Sequence, residues 1–152
     1  YSLGTVLPGI KSLRDVALDD FNAHAGRLSE VVGKRARHVV EEIDRTQRAV
    51  TLLRSGDAVG FGQLMNDCHA SLRDLYEVSC PELDLMVSEA QALPGCYGAR
   101  LTGAGFGGCT VNLVAGSQAE DFTRELTTRY ERAAGKRPDI YVCQAAAGAA
   151  VI

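Results

Sequence analysis

The residues with the clearest chemical potential lie in GARLTGAGFGGC, 98–109. Gly103-x-Gly105-x-x-Gly108 has the spacing of a dinucleotide-binding fingerprint, in which glycines let a helix N-terminus approach a pyrophosphate. That chemistry demands a strand before the glycines and a helix opening within them. YGARLT reads as a strand, with Tyr97, Ala99 and Leu101 on one face and Arg100 and Thr102 on the other. CTVNLVA, 109–115, follows, and Thr110, Val111 and Val114 favour a second strand over a helix opening. Glu120 stands near the distance of a ribose-binding acid but sits better in a Ser117-x-x-Glu120 capping box. No Lys-Ser or Lys-Thr follows the glycines, so a Walker-type phosphate loop is excluded. The bland reading is a hairpin loop whose glycines supply positive φ. Four glycines in six residues (Gly103, Gly105, Gly107 and Gly108, around Phe106) exceed what a tight turn needs. Close approach of another backbone or of a ligand therefore competes with the plain turn.

Other reactive side chains form no constellation. His69 lies beside Cys68 and near Ser71, but adjacent helical residues diverge by about 100° and make no nucleophile–base pair, so His69 is expected to be a hydrogen-bonded structural residue. His38, among Arg35, Arg37, Glu41 and Glu42, is expected on a solvated face, and His24 at a helix end, where a cation is favourable. The five cysteines are spaced 12, 16, 13 and 34 apart with no C-x-x-C, so no metal site is expected and most are read as small buried hydrophobes.

The elements that must carry the loop follow from periodicity. Residues 1 to 10 look extended, with a turn at Pro8-Gly9. Ser12 and Asp15 suggest a capping box for a helix over 13–24. Val39, Val40, Ile43, Val50 and Leu53 mark a long helix from about 34, after Gly33, to Ser55-Gly56, with Glu41–Arg45 and Asp44–Arg48 as i,i+4 pairs. Phe61, Leu64, Met65, Cys68, Leu72, Leu75 and Tyr76 form the cleanest apolar stripe, on a helix opening at Asp57. The two helices predict an antiparallel hairpin. Pro81 opens a further helix that ends before Pro94-Gly95. After the two strands, a helix carries Phe122, Leu126 and Tyr130 and stops at Gly135, and DIYVCQAA, 139–146, reads as a last strand. The order predicts an α+β domain: an antiparallel sheet of three or four strands packed with helices.

Bulk properties agree with one compact domain. The chain has 152 residues, 46% apolar and 23% charged, with a net charge of −3, which argues against nucleic acid or an anionic membrane as a main partner. No apolar run approaches the roughly 18 residues of a membrane span. Scattered cysteines without a basic-then-apolar leader suggest the cytoplasm. The sequence opens on Tyr1 rather than Met, and reads as a processed or cut piece of a longer protein.

GARLTGAGFGGC also resembles the third conserved motif of the GHMP small-molecule kinases, in the form found in galactokinases. KSLRDV (11–16), RARHVVEEI (35–43), LMNDCHASLRDLYEVSCPELD (64–84) and YVCQAAAGA (141–149) agree in order, so the resemblance covers nearly the whole chain. YEVSCPELD followed by the glycine motif is more specific than either alone. Leu101 stands where relatives often have Met, and Leu75 where many have a second Asp after Arg73-Asp74; both read as packing variations.

The resemblance implies a single domain over 1–152, the ferredoxin-like C-terminal domain of a two-domain kinase that moves the ATP γ-phosphoryl group to the C1 hydroxyl of α-D-galactose with Mg²⁺. In such chemistry the protein mainly positions groups and stabilises charge. The family's sugar-recognition segment (G-E-H-x-D-Y), its nucleotide loop (P-x-G-x-G-L-S-S-S-A) and its catalytic aspartate have no counterpart here, so no catalytic residue is assigned, Asp74 and Asp84 included. The residues carried over are Thr102, Gly103, Ala104, Gly105, Phe106, Gly107 and Gly108, implied to lie beside the nucleotide loop in the interdomain cleft. Arg100 is available to the cleft or to a surface salt bridge. The partners implied are galactose, ATP and the chain's own N-terminal domain, with ATP and Mg²⁺ held mainly by that domain. On this reading the glycine excess answers to the phosphate loop of the absent domain, and Gly105→Val lowers phosphoryl transfer more than stability. A galactokinase-like sugar and ATP sensor, or an N-acetylgalactosamine kinase, stands as the alternative.

Overall fold

The computed structural model describes residues 3–6 and 9–146. Its elements are α1 (Leu3–Val6), α2 (Leu18–His24), α3 (Glu30–Ser55), α4 (Ala58–Ser71), α5 (Pro81–Gln91), β1 (Cys96–Thr102), β2 (Cys109–Val114) and α6 (Ala119–Ala134). Leu3–Val6 is helical where an extended segment was expected, and Pro8 of the expected turn lies outside the described residues.

The predicted helix over 13–24 is split. Asp15 Oδ2 does accept from the Ser12 N–H (2.9 Å), but the box caps only one 3₁₀ turn, Leu13–Asp15. Val16 then turns extended and enters a core of Phe21, Ala36 and Val40, and α2 starts afresh. The same core explains why α3 begins at Glu30, ahead of Gly33. Burying Ala36 and Val40 outweighs the roughly 1 kcal/mol that glycine costs a helix. Along α3, Asp44 pairs with Arg48 at 3.7 Å as expected, whereas Glu41 pairs with Arg37 (3.3 Å) and Arg45 turns instead to Glu42. Gly56, left-handed at φ 72°, ends α3, and Asp57 opens α4 by accepting from the Gly60 N–H (2.8 Å).

α4 lies across β1 at unusually close range. A Cβ on Gly62 would sit 2.1 Å from the Tyr97 carbonyl oxygen, and one on Gly98 2.0 Å from the Gly62 carbonyl oxygen. This contact lets side chains of α4 reach the strand. Ala99 and Leu101, two apart on β1, present their polar groups on one edge. The Ala99 N–H donates to Asn66 Oδ1 (2.9 Å), and the Leu101 N–H to His69 Nδ1 (3.3 Å). Gln91 Nε2 donates to the Ala99 carbonyl (3.4 Å), and Arg100 Nη1 to that of Leu101 (3.1 Å). β1 is thus an edge strand whose free side is satisfied by side chains, which blocks pairing with another chain.

β2 pairs antiparallel with β1, Leu101 opposite Thr110 and Thr102 opposite Cys109. Val87, Ala90, Leu93, Ala99, Phe122 and Leu126 make the second core, where α5 and α6 meet the sheet. α6 opens after a 3₁₀ turn with no side-chain cap, so the Ser117–Glu120 box does not form, while Gly135 (φ 67°) stops it as expected. The α+β architecture of helices on an antiparallel sheet holds, with two strands among the described residues rather than three or four. Residues 139–146 form no strand: Ile140 packs on the second core, but Tyr141 and Val142 are exposed and pair with no ladder. β-propensity favours a strand only where an edge accepts it. Among the described residues no helix is long and apolar enough to cross a membrane.

Candidate functional site: the glycine-rich loop

The expected stripe on α4 runs as an α-helix only to Ser71, and Leu72–Tyr76 continues as a π turn. Glu77 ends it in the left-handed region (φ 56°, ψ 48°). Single π turns are frequent where a helix must present its end at a functional place. Here the turn swings Val78 under the glycine-rich loop.

Thr102 and Cys109 close the β hairpin, and 103–108 form its loop. A strand follows the glycines, which removes the dinucleotide geometry. Gly103 (φ 80°), Gly105 (75°), Phe106 (54°) and Gly107 (113°) all occupy positive φ. For Phe106 that conformation is unfavourable, and its N–H is held by the Val78 carbonyl at 2.9 Å. A Cβ on Gly105 would sit 2.3 Å from that same oxygen, whereas one on Gly103 or Gly107 would meet nothing within 4 Å. Val78 of this chain therefore demands glycine at 105. A side chain there, as in Gly105→Val, meets the loop's own packing as well as anything outside it. The open faces of Gly103 and Gly107 remain free for close approach from outside. Phe106 projects its ring into solvent at 71% exposure, a large apolar group at the tip of a conformationally fixed loop.

Arg100, Thr102, Gly103 and Ala104 form one wall of a crevice of about 210 Å³, with His38 and Glu42 opposite. Arg100 forms no salt bridge among the described residues and bends instead to the Leu101 carbonyl. His38 is buried, contrary to the solvated face expected: Nδ1 lies 2.8 Å from Ser71 Oγ and the ring stacks on Tyr76 at 4.6 Å. Burial pushes its pKa down, so the ring is neutral. His69 is the structural histidine expected, also lowered by burial. Its Nδ1 accepts from Leu101, which places the proton on Nε2, 3.2 Å from Asp84 Oδ1 but misaligned for a hydrogen bond. Cys68 donates to Glu42 Oε1 (3.3 Å), and burial raises its thiol to about 11, so it is no nucleophile. Its cysteine relatives divide: Cys80 and Cys96 are half-buried, and Cys109 and Cys143 are exposed, which corrects the expectation of burial. Asp74 is bound by Arg73 at 2.7 and 2.9 Å, and Asp84 accepts from Ser79 Oγ at 2.5 Å. Of these, His38 and Cys68 line the crevice beside the loop, His38 engaged by Ser71 and Tyr76 and Cys68 by Glu42. Among the described residues no cluster of His, Cys, Asp or Glu could hold a metal ion, so none is assigned to Mg²⁺.

Sequence reasoning missed Val78, Glu77, Arg35 and Asn66. Asn66 carried a signal, as a polar residue beside Met65 within an apolar helix. Val78 acts through its carbonyl and carried none.

Comparisons with known proteins agree with this fold. The chain is 52% identical over 141 residues to a galactokinase of Roseiflexus sp. (strain RS-1), and 49% identical over 144 residues to the human galactokinase. These alignments cover 93% and 95% of this chain and 36% of each relative, so the chain spans about a third of their length. The crystal structure of Lactococcus lactis galactokinase complexed with galactose superposes with a TM-score of 0.84 at 40% identity, covering 89% of this chain and 35% of that one. The family model described as GHMP kinases C terminal matches residues 49–132, from the last turns of α3 through the glycine loop into α6. With that match spanning more than half of its length, the chain belongs to the GHMP kinases, as a C-terminal domain of that family.

Proposed function

We propose that this chain is the C-terminal domain of a galactokinase, which phosphorylates α-D-galactose at the C1 hydroxyl at the expense of ATP. The observation that carries the reading is the loop itself. Its backbone is fixed from below by Val78, while Gly103 and Gly107 face outward with no side chain in the way and Phe106 stands exposed between them. Such a surface fits the close approach of a phosphate-bearing loop from an N-terminal domain, with Phe106 as the apolar anchor. ATP, when bound, supplies the transferred phosphoryl group. This chain's residues hold the wall of the cleft: the glycine backbone leaves room at the phosphates, Thr102 offers a hydroxyl, and Arg100, paired with no carboxylate among the described residues, offers positive charge. Mg²⁺ and the catalytic base belong to the N-terminal domain. The reading as a catalyst rather than a sensor rests on the similarity to galactokinases. The sugar, galactose rather than N-acetylgalactosamine, rests on the similarity to galactokinases.

The test is an ADP-release assay on the intact protein with each sugar. Galactose-dependent turnover is expected, with Phe106→Ala lowering it about tenfold or more at unchanged stability, on the scale of losing one interface anchor. The 152-residue chain alone is expected to show none. Turnover by the chain alone, or turnover of the intact protein indifferent to Phe106, would overturn the reading.

A further inference from the structure

We propose that Arg35 and Glu77 are positioning residues for the glycine-rich loop, a clamp that fixes the π turn on which Val78 holds Gly105 and Phe106. The clamp's role in phosphoryl transfer rests on the function proposed above; its role in holding the loop does not.

The loop needs an external brace, because Phe106 occupies positive φ and its N–H is tied to the Val78 carbonyl, its one backbone tie among the described residues. Val78 is itself the second residue after a π turn, and the residue between them, Glu77, is left-handed without being glycine. Both features are unfavourable for an isolated chain. Arg35, on α3, reaches across to this turn with both arms of its guanidinium. Nη1 donates to the Leu75 carbonyl and Nη2 to Glu77 Oε2 (2.5 Å). A carbonyl inside the turn and the side chain at its exit are thereby tied to one rigid planar group, a geometry that an ammonium cannot copy. Lys34 adds a longer contact to the other carboxylate oxygen of Glu77 (3.6 Å). Inside the turn, the Val78 N–H donates to the Leu72 carbonyl at 3.1 Å. The path is continuous: α3, Arg35, Glu77, Val78, then the Gly105–Phe106 backbone. Each step is a contact between neighbours, and none touches the loop's outward face. The clamp therefore governs loop shape without occupying the cleft.

The test compares Arg35→Met, Glu77→Asn and Arg48→Met in the intact protein. Asn tolerates the left-handed backbone but is too short to reach Arg35, so Glu77→Asn cuts the clamp and keeps the turn. Arg48, on the same helix, pairs only with Asp44 among the described residues and controls for charge. The readout is hydrogen exchange at the Phe106 amide, with the Leu101 amide as internal reference. Both clamp variants are expected to speed exchange at Phe106 about tenfold or more relative to Leu101, on the scale of one charge-assisted hydrogen bond, and Arg48→Met to leave it unchanged. Arg35→Lys is expected not to restore it. Turnover is read in parallel, with kcat falling and the KM for sugar unchanged. Unaltered exchange at Phe106 in Glu77→Asn, or equal acceleration at both amides, overturns the clamp. Faster exchange at Phe106 with normal turnover sustains the clamp and overturns the loop's part in phosphoryl transfer.

Discussion

Gly103 and Gly105 offer a controlled comparison, because they share a positive φ and differ in what lies in front of them. Their φ angles are 80° and 75°, so an alanine at either carries a penalty for positive φ, roughly 1–2 kcal/mol. At Gly103 the new Cβ enters open space and nothing more is lost. At Gly105 it would lie 2.3 Å from the Val78 carbonyl oxygen, and that oxygen is backbone, with no flexible end to move aside. Relief requires the loop to lift away, adding an overpacking cost of about 1–3 kcal/mol and forfeiting the Phe106 N–H to Val78 bond, worth about 1 kcal/mol. The totals are about 1.5 kcal/mol for Gly103→Ala and about 4.5 kcal/mol for Gly105→Ala. For a chain of this length they correspond to losses in Tm of about 5 °C and about 14 °C. Thermal melts of the two variants, with the Phe106 amide followed by hydrogen exchange, test the difference. Equal losses, or a milder loss at Gly105, together with Phe106 exchange no faster in Gly105→Ala than in Gly103→Ala, would refute the claim that Val78 dictates glycine there. If the loop opens locally instead of straining the whole fold, Phe106 exchanges fast in Gly105→Ala but not in Gly103→Ala, which still separates the two sites.

Two further outcomes follow from buried polar groups. His38 and His69 have folded pKa values below the ordinary 6.5, so on acidification the unfolded chain takes up protons first. Stability is full above that value and declines as pH falls through it, by at most about 1.4 kcal/mol per pH unit for each ring; urea midpoints from pH 7.5 to 5 check the slope, and a flat profile contradicts it. Asn66→Ala leaves the Ala99 N–H on β1 without its acceptor and is expected to cost about 1–3 kcal/mol, read by urea unfolding, whereas a change under 0.5 kcal/mol would show that water replaces the side chain there.

The contrast between what could and could not be read beforehand has a common physical root. Helices were legible where their signals are local: Gly56 and Asp57 at the α3–α4 joint, Pro81 at the start of α5, Gly135 after α6. The hairpin was legible because Thr110, Val111 and Val114 exclude a helix after the glycines. Where tertiary packing outweighed local preference, the reading failed. Val16 broke a capped helix to reach a core, Gly33 was carried inside α3, and His38 was drawn from an apparently solvated face onto Tyr76 and Ser71. Residues 139–146 have the composition of a strand, but β1 has its outer edge filled by Asn66, His69, Gln91 and Arg100, which leaves only β2 to accept them, and among the described residues no ladder forms there. The glycine loop shows the limit most sharply. Four glycines announced that something presses close, yet the pressing atom at Gly105 is a carbonyl oxygen, which every residue possesses and no side-chain pattern marks. The same holds for the π turn that delivers it, since Leu72–Tyr76 continues an apolar stripe with no change in spacing. A motif rich in glycine thus reports the requirement for space faithfully and its cause hardly at all. Its members must be separated by what faces each of them: Gly105 answers to the fold, and Gly103 and Gly107, with open space ahead, are the positions left to answer to a ligand or a facing domain.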